Sequence, residues 1–479
     1  MYLKRQAFLV LGLSKSGCAA TEFLLAQKAI TYIYDDVESE RMEETMTTLE
    51  KKGARRVRKE YLSRMVEVCD GVVLSPGVPI DHAVAVAFKR QGKAVLGETE
   101  LAARYMRCPI VAVTGTNGKT TVVSMLAEVL NKGGLQAHAC GNIGVPTLDF
   151  YSAGEEEIAV AEISSFQLET LQSLRPHVAL VLNVTEDHLN RHYNMENYVF
   201  LKSKLLKNST ETEYVVLNYD DEIVRAFAEK TRAQVLYFSV RQRVKGAFYE
   251  DGDLYFGKEK ILSASDLPVR GLHNVQNALA VIVAAKIMGV KNEDIAEALT
   301  SFKGIRHRME LVGEVNGILY IDDSKGTNVD ATMKAVEGMS RETILLLGGK
   351  NKGYEYGKLF EKLAQTRVIH AILYGENRFA LLKSARESGF EKFTLCDRFE
   401  FAVRIAALKA TAGQCVLLSP ASASFDEFAS YEERGDKFVE IVQSFIAKEG
   451  EDGGEEKLVQ EGDGGELDKL PADVEENLE

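Results

Sequence analysis

The chain has 479 residues, room for about three domains at ~150 residues each, and 46% of them are hydrophobic, enough to build a core in each. The formal charge of -13 is concentrated at one end: Lys448 to Glu479 carries 13 acidic and 3 basic residues, a net of -10, which leaves -3 for the rest. No basic patch argues for nucleic acid, no apolar run is long enough for a membrane-spanning helix, and six cysteines without C-x-x-C spacing suggest neither a disulfide framework nor a zinc site, so a cytoplasmic location is expected.

The N-terminal stretch MYLKRQAFLVLGLSKSG places two basic residues before an apolar run, as a signal peptide does. The run stops at Leu13 and no small-residue cleavage pattern follows, so a buried strand is expected instead. Apolar runs at Ala7 to Leu11, Ile30 to Tyr34 and Gly71 to Leu74 alternate with helical patterns. That alternation predicts a small parallel sheet. The turn GLSKSG (Gly12 to Gly17) lacks the G-x-G-x-x-G spacing of a dinucleotide fingerprint. Asp35 and Asp36 close the second strand, and Ser75-Pro76-Gly77 closes the later one, at the strand ends where open α/β sheets bind ligands.

A second alternating segment begins near Pro109. Its stretch VAVTGTNGKTT, Val111 to Thr121, reads as strand, glycine-rich loop and helix, which leaves helix N-terminal N–H groups free for an anion. Lys119 supplies a charge for phosphates, and Thr120 a hydroxyl for a bridging Mg²⁺. Val113 stands where the standard P-loop pattern has glycine, so the loop is a variant. Further strands are expected at Ile158 to Ile163, Val178 to Val184 and Tyr214 to Leu217, before a long amphipathic helix starting around Asn274. AEISSFQLE puts Glu162 at a strand tip, suited to Mg²⁺, with Ser164 or Ser165 as a helix cap. LNVTEDHLNRH sets Asp187 and His188 after the next strand; His188 and His192 are four apart, but without an H-E-x-x-H pattern they do not indicate zinc.

Near Gly304 the alternation restarts, with strands at Ile318 to Ile321, Thr343 to Leu347, Ile369 to Tyr374 and Cys415 to Leu418. Three loops follow strands here: IDDSKGTN (Ile321 to Asn328), LLGGKNKG (Leu346 to Gly353) and LSPASASFDEF (Leu418 to Phe428). Lysines and hydroxyls at one end of one sheet suit an anionic small molecule. From Lys448 the composition reads as a disordered acidic tail.

Taken together the chain resembles the Mur ligases, ATP-dependent amide-bond-forming enzymes of peptidoglycan precursor synthesis. The resemblance spans Phe8 to Phe445 and rests on TGTNGKTT, GNIG (Gly141 to Gly144), EISSFQLE, NVTEDH, GLHNVQNALA (Gly271 to Ala280), HRME (His307 to Glu310) and DDSKGTN. The SPG loop, the short N-terminal domain and LSPASASFDEFASYEERG resemble the branch that adds D-glutamate to UDP-N-acetylmuramoyl-L-alanine; a DNPR-type loop of the diamino-acid branch is absent. The implied fold is α/β, with three consecutive α/β domains: a Rossmann-like N-terminal domain over residues 1–98 for the UDP substrate, a central P-loop-type ATPase domain over 99–304, a Rossmann-like C-terminal domain over 305–447 for the amino acid, and the tail over 448–479. Folylpolyglutamate synthases share the ATP chemistry, but the N-terminal domain is not expected in them. A non-catalytic ATP-binding regulator on the same scaffold is the other alternative, and loss of Lys119, Glu162, His188 or Asp323 would favour it; none is lost.

The resemblance implies ATP and Mg²⁺ as cofactors, an acyl phosphate on the L-alanine carboxylate, attack by the D-glutamate amine, and a monomer. Gly115, Thr116, Asn117, Gly118, Lys119, Thr120 and Thr121 would hold the ATP phosphates, with Asn277, Arg308 and Asp323 also contacting the nucleotide. Thr120 and Glu162 would bind the first metal; His188 and a carbamylated lysine, matched to Lys202 with Lys204 as the alternative, the second. Lys119, His188 and Lys202 are the implied catalytic residues. Ser14, Asp35, Ser75 and Asn142 would contact the UDP substrate, and Thr327, Lys352, Ser424 and Tyr431 the D-glutamate. Lys15 and Ser16 depart from the family pattern in the N-terminal turn, Tyr431 stands where phenylalanine is expected, and the tail has no counterpart.

Overall fold

The computed structural model describes residues 3–455 apart from 143, 269–270 and 352–354. Two compact units divide at Lys303 and Gly304, where the sequence pattern restarts. Within the described residues the strands form three sheets, two in the first unit and one in the second.

The first sheet contains β1 (Ala7–Leu11), β2 (Ile30–Tyr34), β3 (Arg55–Arg56), β4 (Gly71–Leu74) and β5 (Ala94–Gly97), all parallel, in the order β3-β2-β1-β4-β5. Every residue of β1 is buried, as expected when helices cover both faces of a parallel sheet. Phe8 and Val10 pack with Phe23, Leu24 and Leu101 on one face, while Leu9 and Leu11 pack with Val72 and Phe88 on the other. The order reverses direction between β1 and β4, which opens a crevice at the strands' carboxyl ends. A Cβ on Gly17 would stand 2.0 Å from the Gly12 carbonyl oxygen. Glycine there lets the helix Lys15–Ala26 start hard against the β1 turn.

The second sheet runs β14-β13-β12-β11-β10-β9-β6-β8-β7. Its parallel part comprises β6 (Ile110–Thr114), β7 (Gln136–Gly141), β8 (Glu157–Glu162), β9 (Val178–Val181), β10 (Tyr214–Asn218), β11 (Gln234–Ser239) and β12 (Gly246–Glu250). An antiparallel edge of β13 (Asp253–Phe256) and β14 (Glu259–Ser263) extends it, which the strand–helix alternation did not indicate. The helix Leu272–Ile287 was expected to be amphipathic, but Asn277 to Ala285 are all buried. Over that stretch it is sandwiched between the helix Lys119–Lys132 and strands β10 to β12, so no face there is left to water.

A helix over Glu98–Tyr105 joins the two sheets. Leu101 and Ala102 belong to the core of the first sheet, while the carboxylates of its first turn reach the second domain. Glu98 accepts the Leu148 N–H at 2.6 Å. Glu100 accepts N–H groups of Gln172 and Ser173, the Ser173 hydroxyl and the Arg104 guanidinium.

In the second unit β15 (Glu310–Val315) is antiparallel to β16 (Ile318–Asp322); β17 (Thr343–Gly348), β18 (Val368–Tyr374), β19 (Phe393–Leu395) and β20 (Cys415–Leu418) are parallel to β16, in the order β15-β16-β20-β17-β18-β19. Ile344, Leu346, Val416 and Leu418 pack on Phe438 and Ile441, and Leu345, Leu347 and Leu417 on Leu359 and Phe360. The final helix, Tyr431–Glu455, continues past Lys448, where the tail was expected to begin; residues 456–479 lie outside the described residues. No described helix is long and apolar enough to cross a membrane.

Burial raises the Glu98 pKa from the ordinary 4.5 to about 7, against the Leu148 and Thr99 hydrogen bonds. A folded-state pKa above the unfolded one means that the folded chain holds the extra proton, so stability falls as pH rises from about 4.5 to about 7. Glu98→Gln is expected to remove this component, on the order of 3 kcal/mol. Urea unfolding at pH 5 and pH 8 checks it; an unchanged pH difference in the variant contradicts the assignment.

Candidate active site

Strand β6 delivers the loop of Gly115, Thr116, Asn117 and Gly118 to the start of the helix Lys119–Lys132. Gly118 has φ +84°, and a Cβ there would sit 2.5 Å from Asn277 Oδ1. The loop is pinned from the end of β9: Thr116 N–H donates to the Asn183 carbonyl at 2.9 Å, Asn117 N–H to Asn183 Oδ1 at 2.7 Å, and Thr185 N–H to Thr116 Oγ1 at 3.0 Å. Lys119 curls back, its Nζ 2.9 Å from the carbonyls of both Gly115 and Thr116. Thr121 occupies the same first turn. Thr120 donates its hydroxyl to Glu162 Oε2 at 2.8 Å, and Asn142 Nδ2 donates to Glu162 Oε1 at 2.9 Å. Glu162 is buried at the tip of β8. Its carboxylate and the Thr120 hydroxyl are the hard oxygen donors that Mg²⁺ takes.

Lys202 comes from the helix Met195–Ser203 and is 1% exposed. Its Nζ lies 2.8 Å from the Gly115 carbonyl oxygen and 4.6 Å from the centre of the Tyr198 ring. Burial holds its pKa well below the lysine range, the charge of Lys119 adds to that, and Asp187 opposes it. Lys204 turns the other way and donates to the carbonyls of Leu168 and Glu169. Of the two lysines that the spacing left open, only Lys202 reaches the loop. His188 adopts φ +53°; its Nε2 is 3.5 Å from Asp187 Oδ2, and its half-exposed ring packs on Phe166 at 4.9 Å. His192 points inward instead, with Nε2 3.0 Å from Ser165 Oγ, and burial lowers its pKa.

On the first sheet the predicted substrate residues converge at the carboxyl ends of β1, β2 and β4. Ser14 Oγ donates to Ser75 Oγ at 3.1 Å, and Ser75 Oγ to the Gly12 carbonyl at 2.8 Å. Asp35 accepts the N–H groups of Leu13 and Val37 at 2.6 and 2.9 Å. Ser75 also lines a small enclosed cavity with Val78, Gly97, Phe166, Gln167 and Thr170, between the two sheets of this unit.

In the second unit the three expected loops are bonded to one another. The Ala421 N–H donates to the Gly326 carbonyl, the Gly348 N–H to Pro420 and the Lys350 N–H to Ala423. Asp323 is buried; it accepts the Ser419 hydroxyl at 2.6 Å, and burial raises its pKa to about 7. Arg308 is exposed nearby and favours the charged form of Asp323. Thr327 sits in the same turn, its N–H on the Lys325 carbonyl. Lys325 lies over the Tyr431 ring at 5.9 Å, and the Ser324 hydroxyl donates to the Tyr431 carbonyl. Ser424 is buried. Lys352 lies outside the described residues.

Sequence reading missed several supports of this arrangement. Tyr198 reaches Thr116 Oγ1 at 3.2 Å, and its i,i+4 spacing to Lys202 was the available signal. Asp322 pairs with the buried His307 at 2.7 Å; burial is the largest influence and works against charge on that histidine, but the hydrogen bond and the charge of Asp322 together outweigh it and raise the pKa. Arg434, fully buried, donates to Ser324 Oγ, the Ser324 carbonyl and the Ser422 carbonyl. No local pattern announces a buried arginine.

The chain matches the family models Mur ligase MurD-like, N-terminal domain over residues 6–97, Mur ligase middle domain over 113–285 and Mur ligase, glutamate ligase domain over 307–422. It is 39% identical over 446 residues to the UDP-N-acetylmuramoylalanine–D-glutamate ligase of Pelotomaculum thermopropionicum, covering 92% of this chain and 98% of that one. The protein of that name from Clostridioides difficile is 37% identical over 450 residues, covering 93% and 100%. Among solved structures, the UDP-N-acetylmuramate-alanine ligase of Thermotoga maritima superposes with a TM-score of 0.57 at 19% identity, over 92% of this chain and 99% of that one. MurF of Acinetobacter baumannii gives 0.57 at 18%, over 90% and 93%. Both share the fold.

Gly118→Ala is expected to cost about 1–2 kcal/mol for the left-handed backbone plus the clash with Asn277. Gly134, with φ +82° and open space where a Cβ would go, supplies the control: Gly134→Ala pays only for the backbone. Urea unfolding should show the larger loss for Gly118→Ala, and an Asn277→Ala background should bring the two together; equal losses in the parent chain would remove the contact from the account.

Proposed function

Because the chain belongs to the Mur ligase family, we propose that it is an ATP-dependent ligase that joins D-glutamate to UDP-N-acetylmuramoyl-L-alanine in peptidoglycan precursor synthesis. The observation that carries the reading is the convergence of Lys119 and Lys202 on the Gly115 carbonyl, with Thr120 of the adjoining helix bonded to Glu162. The names of relatives matched across nearly their whole length support the substrate pair.

In this reading the γ-phosphoryl group of ATP passes to an oxygen of the L-alanine carboxylate, giving an acyl phosphate and ADP. The D-glutamate amine attacks the acyl carbon and loses a proton, and the tetrahedral intermediate expels phosphate to leave the amide. Two anions must meet in the first step, so neutralising their charge dominates the barrier. Lys119 and the N–H groups at the start of its helix serve the phosphates, with Asn277 beside Gly118 and, in the second unit, Arg308 and Asp323 toward the nucleotide. Mg²⁺ supplies further charge neutralisation when bound, held by Thr120 and Glu162 and, at a second position, by His188 and a modified Lys202. An unmodified lysine offers a metal no oxygen. Its depressed pKa favours the neutral amine, whose nitrogen can attack CO₂ and lose a proton to give a carbamate, a second carboxylate-like ligand beside Gly115. Ser14, Asp35, Ser75 and Asn142 bind the UDP substrate; Thr327, Lys352, Ser424 and Tyr431 bind D-glutamate. Dependence on ATP and a UDP-activated sugar supports a cytoplasmic location, and the chain is proposed to act as a monomer.

Phosphate release from ATP and Mg²⁺ with UDP-N-acetylmuramoyl-L-alanine is expected to require D-glutamate, with L-glutamate, L-alanine and meso-diaminopimelate inactive and the product mass matching the amide. Dependence on another amino acid would change the member and keep the family. Lys119→Ala should abolish turnover with the fold intact by circular dichroism; retained turnover removes the central assignment. Lys202→Ala should regain part of its activity with short carboxylic acids, which restore an oxygen ligand. Rescue of Lys204→Ala instead would move the carbamate.

A further inference from the structure

Arg191 stands in the segment that follows His188. Its guanidinium makes a two-pronged pair with Glu169, Nε to Oε1 at 2.9 Å and Nη2 to Oε2 at 2.7 Å. The same group donates across to the first sheet, Nη2 to the Val78 carbonyl at 3.0 Å and Nη1 to the Gly77 carbonyl at 3.4 Å. These carbonyls belong to the loop that begins at Ser75. The guanidinium also lies 5.0 Å over the Phe166 ring, against which His188 packs at 4.9 Å. Two residues on, the Tyr193 hydroxyl donates to Asp81, again across to the first domain.

One short segment thus carries His188 and two ties to the loop after β4. Arg191 is only 16% exposed and Glu169 7%. A part-buried, forked arginine–carboxylate pair holds its geometry more tightly than a surface ion pair. Phe166 and Glu169 both lie on the helix Ser165–Thr170, which follows Glu162 directly. The position of the Ser75 loop is therefore set against both elements that carry metal donors.

We propose that Arg191 is a positioning residue that couples the UDP-substrate loop to the His188 metal position, so that substrate and divalent metal each favour binding of the other. The inference rests on the proposed function, through the roles of Ser75 and His188. Neither ligand touches Arg191. It acts by holding the backbone of Gly77 and Val78 in register with His188. By linkage the coupling is reciprocal, with one factor describing both directions.

The test uses the full chain with a non-hydrolysable ATP analogue. Calorimetry measures UDP-N-acetylmuramoyl-L-alanine affinity at low and saturating Mn²⁺, and electron paramagnetic resonance of free Mn²⁺ measures metal affinity with and without that substrate. The wild-type chain should show the same factor both ways, about tenfold. Arg191→Lys keeps the charge and loses the fork, and should bring the factor near one while leaving analogue affinity in the absence of the UDP substrate within twofold. Tyr193→Phe, which breaks only the exposed tie to Asp81, should reduce the factor in part, and it supplies the test if Arg191→Lys does not fold. Full coupling retained in the folded variants overturns the proposal, as does a wild-type chain that turns over substrate with no coupling. A wild-type chain with no affinity for the UDP substrate overturns the functional reading itself.

Discussion

Two lysine amines meet at one carbonyl oxygen. Lys119 and Lys202 both donate to Gly115, and only one of them has water to spread its charge. The buried one is pushed toward neutrality by desolvation and by its neighbour's charge together. Two amines of the same residue type at nearly the same point thus differ in their tendency to carry charge, separated by burial. The surrounding structure serves to keep that difference in place. Asn183 and Thr185 pin the loop from one strand end, Glu162 holds Thr120 from another, and Tyr198 fixes the helix that brings Lys202.

The junction between the first two sheets adds carboxylates to apolar contacts such as Tyr151 on Phe23. Glu98 and Glu100 leave one helix and end on backbone N–H groups of the second domain, and Glu169 holds Arg191 against the loop of the first. Buried polar groups are costly, and they persist only where hydrogen bonds satisfy them in a fixed geometry. Apolar surfaces alone would leave the two sheets free to slide. Acceptors that demand particular N–H partners fix their register, and the cavity beside Ser75 inherits that definition.

The second unit reaches a comparable result with a cation at its centre. Arg434 donates to three oxygens of two loops and binds the start of the last helix to Ser324 and Ser422. Beside it the His307–Asp322 pair holds the turn that leads into β15, where His307 and Met309 both take positive φ. Lysine, serine and aspartate side chains from separate loops then share one end of the sheet.

Much of this was legible in the chain itself. Fully apolar strands such as AFLVL and CVLL mark buried parallel strands by composition alone, and Ala7–Leu11, Ile30–Tyr34, Gly71–Leu74 and Cys415–Leu418 fall where the pattern placed them. The loop of residues 115–118 between β6 and its helix, and Glu162 at the tip of β8, stand where residue type and spacing put them. The burial of Lys202, the inward turn of His192, the buried faces of Leu272–Ile287 and the antiparallel edges at β13 to β15 were not legible. Each depends on which side of an element meets protein and which meets water. Glu98, Arg191 and Arg434 belong to the same class, since their partners lie on distant segments and nothing in their own neighbourhood distinguishes them from surface charges. Residue type and spacing are local properties, so sequence determines them; desolvation and long-range pairing exist only once the chain has packed, so the tertiary structure alone decides them.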